Sequence, residues 1–475
     1  MFDSYIAYHA RTRPRALALV TPRHRATYAD LDADINRFAA GLQALGIGPE
    51  RGIVAVDATS THHHHLLILA LARLGVASTP KEDLAADLVL SQRAPSDERR
   101  PVVHLDAAWT ARTEGAPPTP VLTVRRDPDS IARVMLSSGT TSTPKRIPLT
   151  WRRVAANGLN GLSVYGADRL GPWIVRTGID SGIGYMMASL AWTAGAGVAA
   201  DFAAADIAGL MERNQPGVVG LTPIQLRDLL GNLPRGFELK PGWRIAVGGG
   251  VLPASVAREA RMRLSPDVVI VYGSTESGRA TAGPATRLDR DPGFAGWALP
   301  GVEIEIVGPE GEILPDGEAG ELRIRSDRLA EGYLGDDEAG AQAFRDGWYY
   351  TGDLARRLPD GAYVIDGRID ERMNIGGVKV MPNLLEDAAL ACPDVQDAAA
   401  FALPDARGQD ELWIAVVAGQ EITRETLMTY LAQCPQRLPA VRIAWSEEIP
   451  RNAMGKIERG VLRDQVAAAL QPGGA

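Results

Sequence analysis

Between Ala29 and Leu45 apolar residues recur at helical spacing (Leu31, Ile35, Phe38, Ala39, Leu42 and Leu45), and Gly46 and Gly48 follow as a stop. The pattern predicts a helix with one buried face. Gly52 to Val56 then reads as a short buried strand and Leu66 to Leu74 as a second helix, while Arg244 to Val247 and Val268 to Tyr272 read as further strands that run into glycines. Strands alternating with helices imply parallel sheets covered on both faces, and ligands then gather where the strands end. The expected fold class is α/β.

From Val302 to Arg325 the period changes. Ile304, Ile306, Leu322 and Ile324 alternate with polar residues, and Gly311 and Asp316-Gly317 supply turns, which predicts a β-meander. After Asp370 a compact mixed module follows: helix Asn383 to Ala391, strands Ala398 to Ala402 and Leu412 to Ala418, helix Arg424 to Cys434, and a closing helix Arg459 to Leu470. The expected organisation is a large N-terminal domain, residues 1–369, and a small mobile α+β C-terminal domain, residues 370–475.

Composition narrows the function classes. A chain of 475 residues has room for roughly two or three domains. Its 45% hydrophobic and 23% charged content is ordinary for a soluble globular protein, and no apolar run reaches the roughly 20 residues of a membrane span. The start, Met1-Phe2-Asp3-Ser4, lacks the basic segment and apolar run of a secretory signal, so a cytoplasmic location is expected, with no membrane partner. A net charge of −8 argues against a nucleic-acid partner, which needs a basic face. Cys392 and Cys434 stand alone and read as free thiols. All seven histidines precede residue 105, which disfavours Ser-His or His-dependent acyl transfer from the later motifs. The run His62 to His65 reads as the opening of a helix, since no carboxylate or cysteine nearby completes a ligand set.

Candidate chemistry begins at Ser137-Ser138-Gly139-Thr140-Thr141-Ser142-Thr143-Pro144-Lys145, directly after the mostly apolar run Ile131 to Leu136. A strand that breaks into small and hydroxyl residues presents N–H groups and hydroxyls to one point, which suits a polyphosphate such as that of ATP. This is not a Walker loop. GxxxxGK[ST] occurs nowhere, and the one Gly-Lys pair, Gly455-Lys456, has no glycine at the required distance before it. Four further segments follow in order: Tyr272-Gly273-Ser274-Thr275-Glu276, Tyr350-Thr351-Gly352-Asp353, Gly367-Arg368-Ile369-Asp370 and Pro450-Arg451-Asn452-Ala453-Met454-Gly455-Lys456.

Together these segments resemble the adenylate-forming superfamily of acyl- and aryl-CoA synthetases, adenylation domains and luciferases, and most of all a stand-alone acyl- or aryl-CoA ligase. The resemblance implies that a small carboxylic acid attacks the α-phosphate of ATP, releases pyrophosphate and passes as acyl-adenylate to the thiol of CoA. A carrier-protein pantetheine, including one loaded with an amino acid, is the alternative acceptor, and a non-catalytic adenylate binder is the alternative class. It further implies that Ser137, Ser138, Gly139, Thr140, Thr141 and Lys145 hold the phosphates and that Glu276 holds Mg2+. Asp353, assisted by Arg368, accepts from the ribose hydroxyls; Gly248, Gly249, Gly250, Tyr272, Ser274 and Thr275 lie about the adenine. Lys456 bridges the reacting carboxylate and α-phosphate, with Thr140, Glu276 and Arg368 beside it in the catalytic set. Asp370 is the hinge about which the small domain turns, bringing Gly376 and Gly377 to the pantetheine of CoA.

This chain departs from the family pattern in three places. Asp180 stands where most CoA ligases carry a histidine or aromatic residue, and with Ser181, Gly182 and Gly278 it is assigned to the acyl pocket, where its carboxylate suits an amine or hydroxyl on the acid. Asn374 replaces a frequent lysine, and the stretch from Pro80 to His104 is abridged, which predicts a smaller N-terminal subdomain. Gly178, Gly182 and Gly184 leave room, and Asp180 and Ser181 add polarity, so a small aryl or functionalised acid is expected rather than a long chain.

Overall fold

The helix predicted from Ala29 spans Tyr28–Ala44 and starts where Thr27 and Asp30 cap it reciprocally, the Asp30 N–H donating to Thr27 Oγ1 at 3.3 Å and the Thr27 N–H to Asp30 Oδ2 at 3.0 Å. The structure is a computed structural model, and it describes residues 2–94, 99–121, 126–137, 144–405, 407–419, 422–451 and 457–470. The second helix, Thr61–Leu74, begins five residues before the predicted Leu66. Ser60 caps it by accepting from the His63 N–H at 3.1 Å, so the histidine run winds into its first turns.

Strands Trp173–Val175, Val198–Ala200, Val218–Leu221, Arg244–Gly248 and Val268–Ser274 lie parallel in one large sheet. A second sheet carries Val102–His104, Leu88–Ser91, Ile53–Asp57, Ala77–Pro80, Ile131–Leu136 and Arg146–Thr150 in that spatial order. Core residues from both sheets and from helices Thr61–Leu74 and Gly182–Ala194 join in one cluster that includes Val54, Leu67, Ala132, Leu190 and Trp192. Both helices are apolar on nearly every face, as a helix between two layers must be. Each fully buried leucine or phenylalanine there contributes about 1.5–3 kcal/mol. Between Pro80 and His104 the described residues form short strands joined without a helix, the physical form of the abridged stretch.

The meander is longer than predicted. Strands Val302–Val307, Gly320–Ser326, Trp348–Arg357 and Tyr363–Arg368 pair antiparallel in sequence, which sets Asp353 opposite Arg368. In the small C-terminal module the hairpin Met373–Ile375 and Val378–Val380 leads to helix Pro382–Leu390, strands Val395–Pro404 and Asp410–Ala418, helix Arg424–Leu431 and helix Arg459–Leu470. The helix predicted to reach Cys434 stops at Leu431. Sequence reading missed strand Val441–Trp445, a five-residue edge that shows no clean alternation and is held parallel to Asp410–Ala418 by tertiary pairing. This module has its own core, built on Leu385, Ile414, Leu427 and neighbours. It meets the large part through Arg227, which donates to the Gln396 carbonyl at 2.5 Å and lies 3.6 Å from Asp397. Among the described residues, no helix is long and apolar enough to cross a membrane.

Candidate active site

The parallel strands deliver the motif residues to one end of the large sheet. Val218–Leu221 runs into Thr222, Arg244–Gly248 into Gly249 and Gly250, and Val268–Ser274 into Thr275 and Glu276. Gly249 adopts φ +82, and a Cβ there would stand 2.9 Å from Ile183 Cδ1, so glycine lets the turn close against the start of helix Gly182–Ala194. That helix is capped by Ser181, whose hydroxyl accepts from the Gly184 N–H at 2.9 Å. A Cβ on Gly182 would lie 2.6 Å from Thr275 Oγ1, and one on Gly278 (φ +67) would lie 2.4 Å from Asn157 Oδ1. Ser181, Gly182, Gly248–250 and Thr275 are therefore gathered at one crevice where the strands end, while Gly278 closes against Asn157.

Glu276 is buried beside Tyr333, whose hydroxyl donates to Glu276 Oε1 at 3.2 Å. Its backbone is pinned from two sides. The Glu276 carbonyl accepts from Arg153 Nη2 at 2.9 Å and from the Ala330 N–H at 2.8 Å, and Arg153 also holds the Thr275 carbonyl at 2.9 Å. Burial lowers the Arg153 guanidinium to about 10, partly offset by the nearby Glu276 and Glu331 charges. Lys145 Nζ sits 4.5 Å from the centroid of the Tyr333 ring, a cation–π contact, so one tyrosine touches both the loop lysine and the glutamate. The neck of the loop is closed by the Ser137 N–H donating to the Lys145 carbonyl at 2.9 Å and the Lys145 N–H to Ser137 Oγ at 3.0 Å. Ser138, Gly139, Thr140, Thr141 and Lys456 lie outside the described residues.

Across the crevice, Asp353 accepts from the Tyr272 hydroxyl at 2.5 Å and lies 3.5 Å from Arg368 Nη1. Burial raises the Asp353 carboxyl, although Tyr272 and Arg368 both pull it down. Tyr272, which the resemblance sets about the adenine, thus gives its hydroxyl to Asp353. Arg368 also donates to the Thr351 carbonyl at 2.6 Å and pairs with Asp370 at 3.1 Å. Ser274 is exposed and bonds Ser277, with the two hydroxyls 3.3 Å apart. Gly376 and Gly377 form the exposed tip of their hairpin, with nothing within 4 Å of a Cβ placed on either. Asn374, on the same hairpin, is exposed as well.

Asp180 sits in the turn before the helix, where its Oδ1 accepts from Arg133 Nη2 and lies 3.3 Å from His64 Nε2. Sequence reading assigned no role to Arg133, Arg153 or Tyr333, and read His64 only as part of a helix opening. Their motif signal is slight, because each is separated from its partner by dozens of residues and only folding makes the pair.

Could these residues hold Mg2+? Glu276 is a buried carboxylate, and among the described residues no cation pairs with it, an arrangement that a divalent ion would relieve. The described residues contain no cluster of three His, Cys, Asp or Glu side chains fit to hold a metal. A single hard oxygen donor suits an ion that arrives largely ligated by phosphates and water.

This fold, with Gly248–250 and Glu276 at the ends of parallel strands, Asp353 and Arg368 on an antiparallel pair and no Walker loop, defines the class: the adenylate-forming enzymes, AMP-forming acid–thiol ligases that activate a carboxylic acid with ATP. The chain belongs to the AMP-binding enzyme family, whose profile matches residues 6–87 and 82–334. It is 27% identical to an indoleacetate–CoA ligase of Aromatoleum aromaticum over 98% of each chain. It is also 28% identical to the fatty acid–[acyl-carrier-protein] ligase ScoC of Streptomyces coeruleorubidus, over 97% of this chain and 95% of that one. The crystal structure of ATP-bound MatB from Rhodopseudomonas palustris superposes with a TM-score of 0.84 at 26% identity, covering 99% of this chain and all of the other.

Proposed function

We propose that this protein is a CoA ligase for a small aryl or functionalised carboxylic acid, working in the cytoplasm. The observation that carries the reading is the placement of Glu276 and Lys145 on one tyrosine, with Asp353 and Arg368 across the crevice. A carboxylate is a poor electrophile until it becomes a mixed anhydride, and attacker and ATP are both anionic. The enzyme must therefore neutralise and align them.

In this reading Ser137 to Thr141 and Lys145 cradle the β- and γ-phosphates, and Asp353 and Arg368 orient the ribose. Asp353 is suited to that task because an ionised carboxylate only accepts, provided Tyr272 gives up its hydrogen bond when nucleotide enters. Gly248–250 and Ser274 border the adenine. Mg2+ bound at Glu276 supplies charge neutralisation at the phosphates. Lys456 acts at the α-phosphate, where it stabilises the charge that builds as the acid attacks, with Thr140 beside it in the catalytic set. The small domain, residues 370–475, then turns about Asp370 and brings Gly376 and Gly377 toward the thiol acceptor. The exposed hairpin tip fits a first arrangement in which that acceptor has yet to be engaged. Asp180, Ser181, Gly182 and Gly278 wall the acyl pocket.

CoA is the acceptor we favour, while the similarity to ScoC supports a carrier-protein pantetheine as the second reading. Pyrophosphate release with a panel of acids, followed by thioester formation with CoA and with a pantetheinylated carrier protein, tests both. Nucleotide binding without release for any acid would return the protein to a non-catalytic adenylate binder.

Tyr333→Phe removes the hydroxyl on Glu276 and keeps the ring under Lys145. The expected result is a loss of about tenfold in apparent Mg2+ affinity, read by Mn2+ binding in the presence of ATP and by the Mg2+ dependence of adenylation. ATP affinity at saturating Mg2+ should change little. A variant with an unaltered Mg2+ profile would show that Tyr333 does not position the glutamate.

A further inference from the structure

Asp180 is a carboxylate that the adenylation chemistry leaves unused, and its two oxygens have different surroundings. Oδ1 accepts from Arg133 and lies 3.3 Å from His64 Nε2. Oδ2 has no partner among the described residues, and the side chain is 35% exposed. Arg133 is fully buried on strand Ile131–Leu136, where Nη1 donates to Ser78 Oγ at 2.9 Å and the guanidinium carbon stands 5.3 Å from the centroid of the Tyr185 ring. Burial by itself would raise the Asp180 carboxyl, but the adjacent His64 imidazole and the Arg133 guanidinium hold it below its ordinary value. Asp180 is thus ionised, with its charge compensated through one oxygen and the other left as an open acceptor.

That asymmetry selects among guests. An ammonium would approach a carboxylate already neutralised by a buried guanidinium and would meet the repulsion of that cation one bond further on. An apolar group would desolvate Oδ2 and offer nothing in return. A neutral hydroxyl gains a charge-assisted hydrogen bond and brings no charge of its own. The far side of the same turn agrees with a neutral polar guest. There a cavity of about 230 Å3 is lined by His65, Thr177, Gly178 and Gly184, with one residue of each charge, Arg176 and Asp201, at its wall, and the buried Thr177 hydroxyl has no partner among the described residues. His65 is neutral, since burial lowers its imidazole to about 4.

We propose that the acid activated by this enzyme carries a neutral hydroxyl group, read by Asp180 Oδ2, and that Arg133 is the positioning residue that turns Asp180 against ammonium-bearing acids. The proposal rests on the ligase reading above and on the turn before Gly182 forming a wall of the acyl pocket.

The test uses full-length protein with ATP and Mg2+ and measures pyrophosphate release. Its substrates are two matched sets, the hydroxy-, methyl- and aminomethyl-benzoates and the 3-hydroxy-, unsubstituted and 3-amino-butyrates. In one set at least, the hydroxy acid is expected to exceed both the apolar and the ammonium acid in kcat/KM by about tenfold or more. Asp180→Ala should bring the hydroxy-to-apolar ratio close to one. Arg133→Met should raise the ammonium acid relative to the hydroxy acid, and Arg133→Lys should restore the original order. Should Arg133→Met fail to fold, Asp180→Ala and Arg133→Lys still decide. Equal kcat/KM for hydroxy and apolar acids in the wild type, an unchanged ratio in Asp180→Ala, or a wild-type preference for the ammonium acid overturns the proposal and leaves the ligase reading standing. Release with no acid of any kind overturns both.

Discussion

Lys456→Ala is expected to slow adenylation by about 100- to 1,000-fold, the scale seen when a donor to a developing oxyanion is removed. The reason is electrostatic. Carboxylate and triphosphate repel as they close, and a compact ammonium on a flexible stem can neutralise both at the α-phosphate. The residues that flank the lysine segment are well held. Arg451 makes two hydrogen bonds to Asp397, at 3.1 and 2.8 Å, and pairs with Ile457 in an antiparallel bridge, while Ile457 packs against the core around Trp413 and Leu462. Thioester formation from supplied acyl-adenylate should suffer far less if, as proposed, the small domain turns the lysine away before that step. ATP–pyrophosphate exchange and the isolated second half-reaction measure the two effects separately. Equal losses in both would remove Lys456 from its assigned role.

Asp370→Pro is expected to spare adenylation to within a few-fold and to reduce thioester formation by about tenfold or more, because proline fixes φ near roughly −65° and blocks the rotation a hinge requires. The substitution also deletes a carboxylate. Asp370 pairs with both sides of the Arg368 fork, at 3.1 and 3.2 Å, and Arg368 in turn reaches Asp353. Asp370→Ala is therefore the necessary control: it loses the same ion pair but keeps a free φ. A proline variant that matches the alanine variant in both half-reactions would place the hinge elsewhere.

Much of the architecture was legible along the chain because its causes are local. The period of Leu31, Ile35, Phe38 and Leu42 and the glycines behind them bound a helix to within one residue at each end. The alternation of Ile304, Ile306, Leu322 and Ile324 correctly announced antiparallel strands. The start at Thr61 was legible in part: the histidine run read as the opening of a helix does wind into its first turns, but sequence reading missed the Ser60 cap, six residues before the apolar run begins at Leu66. The edge strand Val441–Trp445 had no local signature, since a short half-exposed strand takes its conformation from the neighbour it pairs with.

The same division holds at the site. Sequence by itself determined the superfamily and named Glu276, Asp353, Arg368 and Lys456, because glycine-rich turns and their flanking residues must be contiguous to shape a phosphate- or ribose-binding backbone. Tertiary structure alone decided what Glu276, Asp353 and Arg368 touch. Tyr333 reaches Glu276 across 57 positions, Arg153 reaches the Glu276 carbonyl across 123, and Arg133 reaches Asp180 across 47. Such pairs arise only when strands from two sheets and a helix start are packed together, and a buried charge or hydroxyl must then take whichever partner that packing supplies.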